Sequence, residues 1–408
     1  MAVPQTKVYI AFDLSALGGN FFTLNDTTKG LLDSAFGLGG ELLTDVTNYV
    51  ESVSISRGKS LELDRYSAGN LVVNLHNDSR TFDPFNTASI YNGNILPRKQ
   101  IVVETNGNRI FTGYIDDWDL SYDISGKSYA TVTALDGFML LAAAELQYAT
   151  TSIQLSSDRV NAILSKPEVN WPIANRSIET GLTTLVDDKI PQNDNALGYL
   201  QLVESTENGM LFMNRSGSVR FKNRLFTPTS SSIIFADDAT VGGIKYTNIG
   251  VIYGSENLYN RVTVLRLDGV DQTADSTTSQ SAYGISALNL SGVLLQTDAE
   301  ALELANYLVG LYDQPELRIS EVTVNLHDKE PDQVEKLVIA EIGDTVQVRF
   351  TPNQIGSAID QYAIIISIAH AIGIDQHQVT YKLARVAFLP FVLDDSIFGL
   401  LDSGILAY

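Results

Sequence analysis

Cysteine is absent from all 408 residues. No disulfide framework and no thiolate metal site can form, and the composition suits a protein assembled in a reducing cytosol. Histidine is scarce, with His76, His327, His370 and His377 the whole supply. None has the spacing of a helical zinc pair, and Gly373 lies between His370 and His377, so no metal site is expected. Long apolar runs are missing too. The longest, Ala363–Ile374 (AIIISIAHAIGI), falls well short of the roughly 18 residues of a membrane-spanning helix, so no membrane span is expected. The N-terminal MAVPQTKVYIAFDL lacks the basic region and apolar core of a secretory signal. Positive charge is the last shortage: 27 Lys and Arg face 48 Asp and Glu, a net charge of −21. Such a chain repels nucleic acid at long range and has no basic patch interleaved with aromatics, so no specific nucleic-acid recognition is expected.

Signatures of catalysis fail on inspection. The tripeptides Gly58–Ser60 and Gly126–Ser128 are both Gly-Lys-Ser, but Val53 and Ser121 stand where a phosphate loop needs its first glycine. Gly37–Gly40 resembles part of a dinucleotide fingerprint without a following helix pattern, and no Gly-x-Ser-x-Gly occurs. Asp116, Asp117, Asp119 and Asp123 surround Trp118. Adjacent carboxylates on a strand point to opposite faces, so this cluster is not the facing pair a glycosidase requires. Asp268, Asp271 and Asp275 could offer oxygens to Ca²⁺, but the glycine and closing glutamate of an EF-hand loop are missing. No catalytic residue, metal ligand or cofactor is assigned, and the chain is read as a non-enzyme.

What is present is β-patterning. At 44% hydrophobic and 18% charged, the chain can bury large cores, and its length allows two or three domains. Val53 and Ile55 alternate with Ser52, Ser54 and Ser56. Leu71, Val73 and Leu75 alternate with polar neighbours, as do Val322, Val324 and Leu326, then Val346, Val348 and Phe350, then Val379, Tyr381 and Leu383. Period two with one polar face predicts half-buried strands. Asn106-Gly107 predicts a hairpin turn. Helices are predicted over Asp136–Leu146, after caps at Ser157-Asp158 and Asn195, and after the Thr297–Glu300 capping box. The stretch Asp268–Gly284 reads as an exposed polar loop. The resulting organisation is mainly β: a strand-rich block at 1–150, a small α+β insert at 151–230, a second strand-rich block with one helix at 231–386, and an apolar arm at 387–408.

The arm has an internal echo. Phe22–Ser34 and Phe391–Ser403 agree at eight of thirteen aligned positions, read either as a shared turn-plus-short-strand device or as a pair of equivalent docking arms. Phe22, Leu24, Phe391, Leu393, Phe398 and Leu401 are the candidate interface residues, because apolar chain ends usually dock on something.

Several motifs together resemble a known family. In the first block they are Arg57-Gly58, Glu62-Leu63, Ala68-Gly69, Asn77, Phe82-Asp83-Pro84, Asn92-Gly93-Asn94 with Pro97, and Phe111-Thr112-Gly113-Tyr114. In the insert they are Arg159–Leu164, Thr180-Gly181, Ala196-Leu197 with Leu200, and Glu207–Gly217. In the second block they are Leu258–Val262, Asp275 with Tyr283-Gly284, Ala305, Pro315, Arg318–Ser320 and Glu341–Val348. In this order they resemble the minor tail or baseplate-hub proteins at the tail tip of long-tailed bacteriophages, those of Gram-positive hosts most closely.

The resemblance implies two tail-tube-like β-barrel domains separated by a small α+β domain, in a hub-like architecture. It implies a homotrimer in the virion, at the tail tip, assembled in the host cytoplasm. Two barrels per chain in three copies would adapt a sixfold tube to threefold parts, closing the tube and opening it for genome ejection. The implied partners are the tail-tube or distal tail ring, the tape-measure protein, and fibre, spike or receptor-binding proteins. Some relatives carry a hydrolase beyond the hub; here the chain stops soon after the second block. Negative charge suits the wall of a conduit through which DNA passes without sticking. Two alternatives stand beside this. One is a carbohydrate-binding or carbohydrate-cleaving tail-tip protein acting on the host cell wall through Trp118 or Trp171. The other is the hub of a phage-derived bacterial injection device.

Overall fold

A computed structural model describes residues 4–12, 43–224, 233–237 and 242–386. The six candidate interface residues, both copies of the echo and Gly37–Gly40 lie outside the described residues. The first block supplies β1 (Thr6–Ala11), β2 (Leu43–Asp45), β3 (Val50–Gly58), β4 (Ser67–His76), β5 (Gln100–Thr105), β6 (Asn108–Tyr122) and β7 (Ser128–Leu135). Next come α1 (Phe138–Ala143), α2 (Ser156–Leu164), α3 (Ala196–Glu207) and the hairpin β8 (Met210–Met213) and β9 (Val219–Lys222). The rest comprises β10 (Ile234–Ala236), β11 (Asn248–Tyr253), β12 (Arg261–Arg266), β13 (Gln272–Asp275), α4 (Thr277–Tyr283), β14 (Ala287–Val293) and α5 (Asp298–Tyr312). It ends with β15 (Leu317–Asn325), α6 (Pro331–Ile339), β16 (Thr345–Phe350), β17 (Ile359–Gly373) and β18 (Gln376–Arg385). Short pairings of two or three residues complete the insert.

The protein is mainly β, as the patterning predicts. Two separate barrels were the expectation. Among the described residues both blocks contribute to one thirteen-stranded sheet, ordered β11-β15-β18-β17-β3-β4-β7-β6-β5-β1-β2, with β16 pairing both β17 and β10, and no closed barrel is traced. The ladder is open at β11 and β2. The blocks meet where β3 runs antiparallel to β17, from Gly58 opposite Ser367 to Val53 opposite Ile372. The length of β17 makes this possible. Its first half pairs with β16 and its second with β3, while β18 follows its other edge.

Alternation decides what each strand buries. Val53 and Ile55 turn inward while Ser54 and Ser56 face solvent. They join Leu71, Val73, Val132, Ile368, Val379 and Tyr381 in one core that runs through both blocks and the insert. Each fully buried aliphatic side chain contributes about 1.5–3 kcal/mol, so this shared core makes the two blocks one cooperative body.

Several local signals hold. Asn106-Gly107 turns the β5–β6 hairpin. Asn195 caps α3 by accepting from Gly198 N at 2.7 Å. Thr297 and Glu300 form the reciprocal capping box of α5. Others need correction. Ser157 and Asp158 lie inside α2, which starts at Ser156 after Leu155. The helix expected over Asp136–Leu146 spans only Phe138–Ala143, because the chain then extends and Leu146 pairs with Asp194.

The stretch Asp268–Gly284 is not a loop. It holds β13 and α4, parts of a small unit in which β13, β12 and β14 form a mixed sheet. That sheet buries Val262, Val264, Ala274 and Val293 against Leu304, Ala305 and Leu308 of α5, in a core of its own. The second block therefore carries a compact α/β unit as well as its share of the large sheet.

Gly58 permits the joint. Its φ is +113°, and a Cβ there would lie 2.2 Å from the Ile366 carbonyl oxygen and 2.6 Å from Ser367 Cα. Gly58→Ala should therefore lower unfolding stability by about 2–4 kcal/mol, measured by denaturant titration. A loss below about 0.5 kcal/mol, the range of an ordinary surface change, would contradict this close approach.

Candidate functional site

The motifs that carry the resemblance lie far apart in sequence, yet many converge on the joint. Arg57, at the end of β3, is 3% exposed. Its Nη1 donates to Glu341 Oε1 at 2.8 Å and to the Met213 carbonyl at 3.4 Å. Glu341 opens the turn between α6 and β16. Its other oxygen accepts from Arg215 N at 2.8 Å, and its own N–H donates to Asp344 Oδ2 at 2.8 Å. Lys222 Nζ of β9 reaches the Gly343 carbonyl at 3.4 Å. One ion pair thus ties the first block, the insert hairpin and the second block together.

Asp136 completes the cluster. Its Oδ2 accepts from Gly69 N at 2.7 Å and its Oδ1 from Phe138 N at 3.0 Å. Burial pushes its carboxyl up to about 7, against the pull of the two backbone N–H groups and of Arg57. Gly69 makes room: a Cβ there would come within 2.8 Å of Asp136 Oδ2 and 3.0 Å of Arg57 Cγ.

A second polar junction lies just past the same end of β3. Lys59 Nζ donates to the Glu62 carbonyl at 2.6 Å and stands 4.8 Å from the Tyr66 ring centroid. Tyr312 of α5 donates to Glu62 Oε1 at 3.1 Å. Glu204 of α3 is buried beside Lys59, and burial pushes it up to about 7. Lys59 is correspondingly held below its usual range by burial. First block, insert and α/β unit meet here.

Other motif residues are also consumed in building the fold. Arg159 is fully buried, donating to Tyr199 Oη at 2.7 Å and to the carbonyls of Ser152 and Val186. The buried Glu207 carboxylate accepts from Ser156 Oγ and from the N–H groups of Leu182 and Thr183. Asp83 accepts from Arg80, Tyr122 and Phe85 N. Asn260 bridges Ser279, Gly284 and Ser286 within the α/β unit.

The residues weighed for chemistry do not assemble. The Trp118 ring stacks with Phe82 and Phe12, at 6.1 and 6.5 Å between centroids, and its indole donates to the Leu96 carbonyl. Trp171 is buried, its indole N–H bonded to Asn175 O. Trp171 is thus closed off, whereas Trp118 is half-buried with its ring packed on aromatic neighbours. The Asp275 carboxylate is engaged by Arg261 at 2.7 Å and by Gln280. Among the described residues no group of three or more His, Asp or Glu is placed to hold a metal ion.

One pairing was invisible in the sequence. His370 Nδ1 and His377 Nε2 are 3.1 Å apart across the β17–β18 hairpin, both buried. Burial holds both below the usual histidine range, His377 at about 4. Spacing along a hairpin gives no helical signature, and only the register reveals the contact.

No family model matches the sequence, and no curated protein matches it. Solved structures do match in fold. A tail protein from Neisseria meningitidis MC58 superposes with a TM-score of 0.61 at 13% identity, over 93% of this chain and 96% of that one. The 43 kDa tail protein of prophage MuSo2 from Shewanella oneidensis gives 0.58 at 14% identity, over 94% and 97%. The resemblance to phage tail proteins is thus borne out at the level of fold across nearly the whole chain.

Two predictions follow from the joint. Arg57→Met should cost about 1–3 kcal/mol, because it leaves the half-buried Glu341 carboxylate without its cation, and adding Glu341→Met should recover part of that loss. Strictly additive losses in a double-mutant cycle would contradict the pairing. Asp136 gives a pH signature. Its folded value is raised to about 7, so its contribution is complete below the unfolded value near 4 and is lost as pH rises through 7. Between pH 5 and 8.5 Asp136→Asn should gain stability relative to wild type, by up to a few kcal/mol. Parallel stability curves would show that the carboxyl is ionised in the fold throughout.

Proposed function

We propose that the chain is a structural virion protein: a homotrimeric tail-tip hub that closes the tail tube, adapts it from sixfold to threefold symmetry and opens for genome ejection. The observation that carries the reading is the fold likeness to two tail proteins over more than nine-tenths of each chain. The fate of the motif residues supports it. Arg57 and Glu341 tie the blocks together, and Arg159, Glu207 and Asn260 brace the insert and the α/β unit, as a part that transmits force requires.

In this reading the blocks at 1–150 and 231–386 act as the two tube-like elements, and three copies give a pseudo-sixfold ring. The insert at 151–230 braces the joint. Residues 387–408, with Phe391, Leu393, Phe398 and Leu401, dock on a neighbouring copy, and Phe22 and Leu24 lie on a corresponding arm near the other end. The ring meets the tail-tube or distal tail ring on one side and fibre, spike or receptor-binding proteins on the other, and it surrounds the end of the tape-measure protein. Net negative charge keeps its wall from retaining DNA. The carbohydrate reading finds no support in the placement of Trp118 and Trp171.

Labelling decides the matter. Gold-labelled antibody against the chain, applied to purified particles, should mark the end of the tail distal to the capsid. Label spread along the shaft, or particles without label, would overturn the tail-tip position.

A further inference from the structure

We propose that strand β11 (Asn248–Tyr253) is the seat on which residues 387–408 of a neighbouring copy dock, adding a strand to the large sheet. The proposal rests on the hub reading above.

The strand ends the thirteen-stranded sheet and pairs only with β15, leaving its outer edge open among the described residues. Edge strands are ordinarily shielded by charge, proline, shortness or bulges. The sequence NIGVIY offers neither charge nor proline, and its one irregularity is a register shift between Gly250 and Val251. Val251, Ile252 and Tyr253 are 40%, 42% and 70% exposed, and the adjoining Leu317 is 38% exposed. The other end of the sheet differs. There β2 is only three residues long and carries Asp45. An uncharged edge that exposes Val251, Ile252 and Tyr253 invites strand addition, with backbone hydrogen bonds for affinity and alternate side chains for fit.

The chain's last described residue lies near this end of the sheet, which puts residues 387–408 within reach of such an edge. Val386 shares a cleft of about 210 Å³ with Leu317, Arg318 and Ile319. Leu317 is the register partner of Tyr253. The 22 residues that follow read AFLPFVLDDSIFGLLDSGILAY, apolar apart from three aspartates and a few small polar residues. Fully extended they reach about 70 Å, enough to cross to an adjacent subunit. Arm and edge are different patches, so the contact runs head to tail, and repeated around an axis it closes a ring. A seat within the same chain would join nothing.

The absence of cysteine makes the test clean. One full-length copy carries Val251→Cys or Tyr253→Cys, and a second carries cysteine in place of Phe391, Leu393, Phe398 or Leu401. The two are mixed, oxidised mildly and run on a non-reducing gel, with Ile355→Cys, 76% exposed elsewhere on the surface, as the control edge. A docked arm reacts at high effective concentration, so at least one edge–arm pair should yield about tenfold more linked dimer than the control. Equal yields with Ile355→Cys, no linkage from any pair, or linkage only within a chain carrying both substitutions would each overturn the proposal. Light scattering on the unoxidised chain separates the failures. A trimer without edge–arm linkage removes this seat alone, whereas a monomer at every concentration removes the ring as well.

Discussion

A buried guanidinium has to be answered wherever the chain puts it, and the placement of Arg57 constrains the rest of this structure. Its partner Glu341 lies 284 residues further on. Satisfying both brings the second block against the end of β3 and holds the insert hairpin in place through Met213 and Arg215. The pair costs much to desolvate and returns little net stability against an apolar core of equal volume. Its value is specificity. It admits one register between β3 and β17, and Gly58 and Gly69 supply the close approaches that this register needs.

The joint and its surroundings contain several buried ionisable groups. Asp136 and Glu204 are buried near Arg57 and Lys59, and the His370–His377 pair is buried across the β17–β18 hairpin. Burial raises the carboxyls toward neutral pH and depresses the histidines. As pH rises from 4 to 7 the carboxyls lose stabilisation while the histidines gain it, so the two sets oppose each other.

Much of the fold was legible in local pattern. Alternation gave the half-buried faces of β3, β4, β15 and β18, and cap chemistry located α3 and α5, because these signals act within a few residues. The failures were non-local. A period-two pattern reports which face is buried, not which strand lies alongside, so the single sheet joining both blocks could not be read from it. The α4 segment, TTSQSAY, carries no apolar stripe. It is held by Ser279 against Asn260, a contact between segments 19 residues apart. The cluster of motifs was recognised as a resemblance, but its meaning was not. Arg57, Met213 and Glu341 share a site only once the chain is folded.

The account stands or falls on whether this welded pair of blocks is the repeating unit of a threefold ring. The most direct measurement is the mass of the full chain in solution by light scattering over a concentration series. The account predicts a species of about three times the 44.5 kDa chain mass that persists on dilution. A stable dimer, or a monomer at every concentration, would contradict it.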